Sequence, residues 1–399
     1  MSRMKSVMRH QFSAVPSATI PRSQFNRSHG HKTTFDVNFL YPMFLDEVLP
    51  GDTFNVKMSA FIRTTTPIYP IMDNLFFDTF FFFVPNRLVW ENWQKFMGEQ
   101  DNPGDSTDFI VPQMTVDEVL EDTLADHFGW PLGQQVTANS LPFRCYQLIW
   151  NEWFRDQNLQ NSVDVPKDDG PDEGLNTRRK RGKRHDYFTS CLPWPQKGES
   201  VDIPLGLEAP VTGLGAERDA NYTLQSQQVV EYGGPDVGGV NRAYTNAGIA
   251  SVDALYYRVR NPGVGSYPEI YADLTNATAA TVNQLRQAFQ VQKLLERDAR
   301  GGTRYTEIIQ SHFGVRSPDA RLQRPEYLGG GSSLINFTPV AQTSETAAGT
   351  PMATLAAFGT SGVRGHGFVK SFTEHGYIIG LMNVRADLTY QQGLSRMWS

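Results

Sequence analysis

Residues 75–85, LFFDTFFFFVP, put six phenylalanines into the eight positions from 76 to 83. In an extended chain, successive side chains point to opposite faces. Phe76, Phe80, Phe82 and Val84 therefore share one face, and Leu75, Phe77, Phe81 and Phe83 share the other. An antiparallel sheet ordinarily leaves one face in water, but this strand has no polar face to leave there. Burying one Phe contributes roughly 1.5–3 kcal/mol, so six rings favour a covered state by about 10 kcal/mol or more before entropy is subtracted. Left uncovered, the stretch is an aggregation site. One face is expected in a sandwich core, and the other under helical insertions or a neighbouring subunit. Phe76, Phe77, Phe80, Phe81, Phe82 and Phe83 are thus the predicted core and assembly residues.

The surrounding sequence supplies both kinds of cover. TTFDVNFL (33–40) and TFNVKMSAFIR (53–63) alternate apolar and polar residues as half-buried strands do. Between 86 and 160 the period changes. Thr115 and Glu118 form a capping-box pattern predicting a helix to Phe128, and residues 143–157 carry a second helical pattern with Phe143, Tyr146, Ile149, Trp150 and Trp153 on one side. Residues 161–184 are polar, and 205–277 form a Gly-, Asn- and Thr-rich surface excursion with short strand-like pieces such as 254–260. Another capping box, Thr281 with Gln284, opens a helix over 281–299, and YTEIIQSHFG follows in helical spacing. The remainder is β-patterned, apart from GGGSS (329–333), read as a turn. Strands at both ends without a βαβ rhythm predict a mainly β protein, an antiparallel β-sandwich of the jelly-roll type with long helix-containing and loop insertions. The expected organisation is an arm over 1–34 and a single domain over 35–399.

Charge is distributed unevenly. The 399 residues carry a formal net charge of −6, yet the arm holds Arg3, Lys5, Arg9, Arg22, Arg27 and Lys32 and no acidic residue. A second basic run comprises Arg178, Arg179, Lys180, Arg181, Lys183 and Arg184. So dense a run must meet anions: nucleic acid, the acidic block Asp164, Asp168, Asp169, Asp172 and Glu173, or bulk salt. Tyr187 and Phe188 beside it are candidates for stacking on bases.

Catalytic constellations are missing from the sequence. There is no phosphate-binding GxxxxGK[ST], no CxxC and no HExxH, and His29 with His31 makes a poor metal site. His185–Asp186 and Ser190–Cys191 lack the strand–turn–helix setting and third orienting group that nucleophilic catalysis needs. No cofactor or metal is expected, and the chain is read as a non-enzyme. Two cysteines do not make a disulfide framework, and no apolar run reaches the roughly 20 residues that span a bilayer.

Several blocks carry a family resemblance: RSQFNRSHGHKTTFD, DEVLPGDTF, FFDTFFFFVPNRLVWENWQKFMGE, RDQNL, CLPWPQKG and, above all, RYTEIIQSHFGVRSPDARLQRPEYLGG. In this order they resemble the major capsid proteins of the microviruses, small icosahedral single-stranded DNA phages, and most closely the gokushovirus branch. The resemblance implies a jelly-roll subunit that self-assembles into an icosahedral T=1 shell around single-stranded DNA, and a basic N-terminus without the apolar core of a secretory signal is read as assembly in the host cytoplasm. It further implies other virion or scaffolding proteins as partners, and a threefold protrusion facing the host surface, for which 205–277 is the candidate. Family members usually continue beyond the point where this sequence stops, so a final strand is expected to be missing from it. The arm and the run 178–184 are the predicted DNA-facing segments. A monomeric single-stranded nucleic-acid-binding β module is the rival expectation, and a carbohydrate-active jelly roll the third.

Overall fold

A computed structural model describes residues 21–67, 71–185, 194–202, 281–341, 343, 345–347, 355–389 and 396–398, with the backbone of four short strands between 211 and 272. Two compact units divide the chain, one of residues 1–190 with 316–399 and the other of residues 191–315.

The first unit is built on one antiparallel sheet. Its strands are β1 (Tyr41–Val48), β2 (Thr53–Arg63), β3 (Asn74–Pro85), β10 (Glu326–Ala341), β11 (Leu355–Ser371) and β12 (Gly376–Asp387), in the order β1-β12-β3-β10-β11-β2. Strand β10 pairs with β3 through residue 335 and with β11 from residue 336 onward. The sheet therefore curls at β10 into a half-barrel, and β2 and β11 lie over β1, β12 and β3. Leu75, Phe77, Ile335, Val363, Met382 and Val384 fill one part of the interior, and Phe81, Phe83, Phe368, Phe372 and Ile378 the other. β2 alternates between exposed and half-buried along its whole length, as its sequence period requires.

Glycines permit the curl, and here the sequence expectation is corrected. GGGSS is strand interior, not a turn, with Gly330 opposite Phe80 and Ser333 opposite Phe77. A Cβ at Gly330 would run into the carbonyl oxygen of Thr79, and one at Gly329 would stand 2.7 Å from that of Gly367. Close backbone approach, rather than reversal of direction, is what these residues provide. Gly330→Val is expected to destabilise the subunit by about 1–3 kcal/mol, seen as a lower denaturation midpoint; an unchanged midpoint would show that the approach is not tight.

The reverse face of β3 carries the insertion between β3 and β10. Its elements in this unit are α1 (Trp93–Phe96), β4 (Gln113–Val116), α2 (Leu124–His127), β5 (Val136–Asn139) and α3 (Leu141–Ile149), the last widening into a π turn over Trp150–Phe154. Phe82, Val84, Trp90, Phe143, Tyr146, Ile149 and Trp150 form its core, with Phe80 and Trp153 packed against it. The ring of Phe82 lies 5.4 Å from Trp153, and that of Phe80 lies 5.2 Å from Phe154. On the opposite face Phe81 meets Phe368 at 5.4 Å and Phe83 meets Phe372 at 4.6 Å. Phe77, Phe81, Phe82 and Phe83 are at most 4% exposed, whereas Phe76 and Phe80 are half-buried. The chain packs onto both faces of the phenylalanine strand by itself and buries four of the six rings without a neighbouring copy.

Two other expectations are corrected. The predicted helix from Thr115 is a strand at its start, because Thr115 and Val116 pair with Thr137 and Val136. Asp122 then takes a left-handed φ of 61°, and only the single turn α2 follows, capped by the side chain of Thr123. Residues 33–40 alternate like a strand, but Asn38 has φ 73° and donates its N–H to Val384 at 2.8 Å, which delays β1 to Tyr41.

In the second unit, α4 (Val282–Gly301) opens with the predicted capping box, the Thr281 side chain accepting from the Gln284 N–H. The helix α5 (Tyr305–Phe313) ends on Gly314 at φ 67°. Strands β6 (Val211–Thr212) and β9 (Tyr271–Ala272) pair with each other, as do β7 (Leu214–Glu217) and β8 (Tyr256–Val259). Most of the excursion 205–277 lies outside the described residues. Among the described residues no helix is long and apolar enough to cross a membrane.

Candidate assembly and nucleic-acid surface

The basic run 178–184 lies as a strap along the end of β1. Leu40 donates to the Arg179 carbonyl at 3.0 Å, and Arg181 donates to that of Asn38 at 2.7 Å. Alternation then sends successive cations to different partners. The Arg178 guanidinium pairs with Asp122 at 2.5 Å and stands 4.6 Å over the Phe39 ring. Arg179 donates to Gln147 Oε1 at 2.7 Å and lies over Trp150. Lys180 sits 5.3 Å over Phe39 and is exposed. Arg184 pairs with Asp387 at 3.2 Å and lies 4.3 Å over Phe76. Such contacts let guanidinium planes cover aromatic surface while keeping a counter-charge.

Arg181 meets Asp78, the one charge inside the phenylalanine run. Asp78 is buried, with Arg385 Nε at 3.2 Å and Arg184 at 4.0 Å. Burial pushes its carboxyl upward, but the Ser332 hydrogen bond and the Arg181 and Arg385 charges outweigh this and hold it below the usual range. Burial, and then Arg181, pull Arg385 down to about 10. Three guanidiniums around one carboxylate pin the strap to β3 and β12.

The acidic block has a different destination from the strap. Asp172 binds Arg144 through two contacts of 2.6 Å, and Asp168 reaches the same guanidinium at 3.3 Å. Asp169 accepts from the Trp90 indole at 2.7 Å and from Asn92. Asp168, Asp169 and Asp172 are therefore engaged away from the strap, and among the described residues Asp122, Asp78 and Asp387 counter the charges of Arg178, Arg181 and Arg184. Sequence reading passed over these carboxylates and Arg144. The available signal was Asp78 itself, since a charge within an apolar strand requires a buried partner.

The described part of the arm is also tied down. Arg22 donates to the Gly51 carbonyl, Arg27 pairs with Asp46 at 2.6 Å, and the His29 ring stacks on Phe44 at 6.0 Å. Lys32 is exposed, while Arg3, Lys5 and Arg9 lie outside the described residues. Burial, then His127 and His29, lower the pKa of His31. The arm from 22 to 29 thus runs beside β1, an edge strand of the sheet, and guards it.

Among the described residues no catalytic groups are assembled. Cys145 is fully buried and burial raises its thiol pKa, which makes it inert. Asp186, Tyr187, Phe188, Ser190 and Cys191 lie outside the described residues, and no group of three or more His, Cys, Asp or Glu side chains among the described residues could hold a metal.

A curled antiparallel sheet with insertions packed on the outer face of β3 has the architecture of a jelly roll with insertions. The comparisons then fix the family: residues 13–399 match the phage capsid protein (F protein) family, and the chain belongs to it. It is 49% identical over 398 residues to capsid protein VP1 of Bdellovibrio phage phiMH2K, covering 98% of this chain and 74% of that protein. VP1 of Chlamydia phage 1 is 40% identical, with 100% of this chain and 76% of that protein covered. VP1 of Spiroplasma virus 4 is 38% identical, with 98% and 74% covered. These relatives bear out the resemblance to the gokushovirus branch. The protein is a structural, major capsid subunit of the virion, not an enzyme, and it forms a shell from copies of itself.

Proposed function

We propose that this subunit closes into an icosahedral T=1 shell around single-stranded DNA, with 35–399 as one capsid domain, assembling in the host cytoplasm with scaffolding or other virion proteins. Family membership across residues 13–399 carries this reading. The excursion 205–277 is proposed as the protrusion that meets the host surface. On the DNA side, Arg3, Lys5, Arg9 and Lys32 of the arm displace counterions from phosphate without reading sequence. Arg22 and Arg27 are occupied by the body, in the strap Arg178, Arg181 and Arg184 already hold carboxylates, and Lys180 is the strap cation that is exposed.

Size-exclusion chromatography and negative-stain imaging of the expressed protein test the shell. Closed particles containing nuclease-protected single-stranded DNA are expected; a monodisperse monomer that binds oligonucleotides would favour the nucleic-acid-binding module instead. Reversing Arg3, Lys5 and Arg9 to Glu is expected to lower the DNA content of particles, measured by their absorbance ratio. Normal content would remove the arm from this role.

A further inference from the structure

Exposed cations without a carboxylate partner among the described residues also lie outside the runs dense in sequence. Lys57 and Arg63 point outward from β2, and Arg364 points outward from β11 opposite Ser59. All three are exposed, and no carboxylate pairs with them among the described residues. The outward positions of β2 from Thr53 to Arg63 contain no acidic residue, and neither do their cross-strand neighbours Thr360, Gly362 and Arg364. In a chain of net charge −6, this face is a local excess of three positive charges.

An aromatic stands in the middle of it. Phe61 is 75% exposed, although alternate positions of the same strand reach the core. Its cross-strand neighbour is Gly362, a pairing in which an aromatic ring often lies over the glycine to shield it. That is not its role here, because a Cβ built at Gly362 meets nothing within 4 Å. The ring stands free with an open face, between Lys57 and Arg63, which lie about 20 Å apart along the strand. Phosphate-neutralising cations interleaved with a free ring, on strand positions without acids, are the two elements of sequence-tolerant single-strand binding.

We propose that the outer face of β2 and β11 is a binding surface for single-stranded DNA, with Lys57, Arg63 and Arg364 on phosphates and Phe61 stacked on a base. The proposal rests on the reading that the shell encloses single-stranded DNA, and it assigns part of the contact to a rigid sheet face instead of the arm or the strap.

Fluorescence anisotropy of labelled oligo(dT) with the full chain, titrated with NaCl, tests the site. The triple variant Lys57→Glu, Arg63→Glu, Arg364→Glu is expected to bind more weakly, with a salt slope smaller by about 2, at about 0.7 per phosphate contact for single strands. Phe61→Ala is expected to lose at least about fivefold in affinity. Thermal unfolding of both variants should match that of the parent, since all four side chains are exposed. The variant Arg286→Glu, Lys293→Glu, Arg297→Glu makes the same charge change on exposed positions of α4 and should bind as the parent does. An equal loss in that control, a parental slope in the face variant, or equal affinity of Phe61→Ala would overturn the assignment. Equal binding per phosphate to duplex DNA would overturn the stacking role of Phe61. The enclosing reading is judged separately: particles of the unaltered chain devoid of DNA would overturn it, whereas DNA-filled particles from both parent and face variant would overturn only the site.

Discussion

Phe81→Asp is expected to yield insoluble protein and no particles. Phe81 is 1% exposed, pointing into the half-barrel against Phe44, Phe368 and Gly380. Removing the ring forfeits about 1.5–3 kcal/mol of burial. The introduced carboxylate faces a hydrophobic cluster with no cation in it, which costs several kcal/mol more whether the group stays charged or is neutralised. Together these approach the whole stability of a typical domain, about 5–15 kcal/mol. Unfolding here also releases the other five rings of the run, so the product aggregates instead of remaining a soluble monomer. Phe61→Asp is the matched control, because that ring is 75% exposed on the same sheet. The soluble fraction after expression should fall to background for the first variant, with no particles formed, and hold for the second. Normal particles from Phe81→Asp would show that this side of β3 is not buried.

Rings sheltered within one chain change what assembly has to accomplish. The phenylalanine run is a folding device, so contacts between copies must use other surface, and a subunit can be soluble before it joins a shell. Alternation in residues 75–85 was enough to assign each ring to its face and to require a second layer. It could not decide between an insertion and a neighbour as the cover, because both are simply apolar surface brought from elsewhere.

Local signals with a single satisfying geometry read through correctly. The pair Thr281 and Gln284 and the closing Gly314 are examples, since the cap is made by atoms within a few residues. Thr115 with Glu118 has the same local pattern, and there tertiary pairing with Thr137 prevailed. The glycines at 329–331 were misread because their reason is the approach of Thr79 and Gly367, residues far away in sequence. The candidate site failed to be legible for a related cause. Charge density singled out 178–184, yet whether a cation is free depends on carboxylates such as Asp78 and Asp387, which only the fold brings near. Lys57, Arg63 and Arg364 look ordinary in sequence because their significance is a shared face across two strands.

Asp172→Ala is expected to destabilise the subunit by about 3–5 kcal/mol, since it leaves the Arg144 guanidinium buried without its bidentate partner. Arg144 is fully buried and Asp172 nearly so. The backbone carbonyls of Val89 at 3.0 Å and Asp168 at 2.9 Å accept from the same guanidinium, but they supply no counter-charge. The pair also ties the segment around 172 to α3, and the strap begins six residues later. Loosening it therefore frees the cover over Phe80 and Phe82, and the variant should bind a hydrophobic dye before its main unfolding transition. The double replacement Arg144→Met, Asp172→Leu removes both charges and keeps apolar volume. It should recover most of the loss, because an ion pair withdrawn from water is costly to form and costlier to break. Chemical denaturation of the single and double variants measures both terms. A single variant as stable as the parent would mean that Asp168, 77% exposed and 3.3 Å away, already provides the counter-charge.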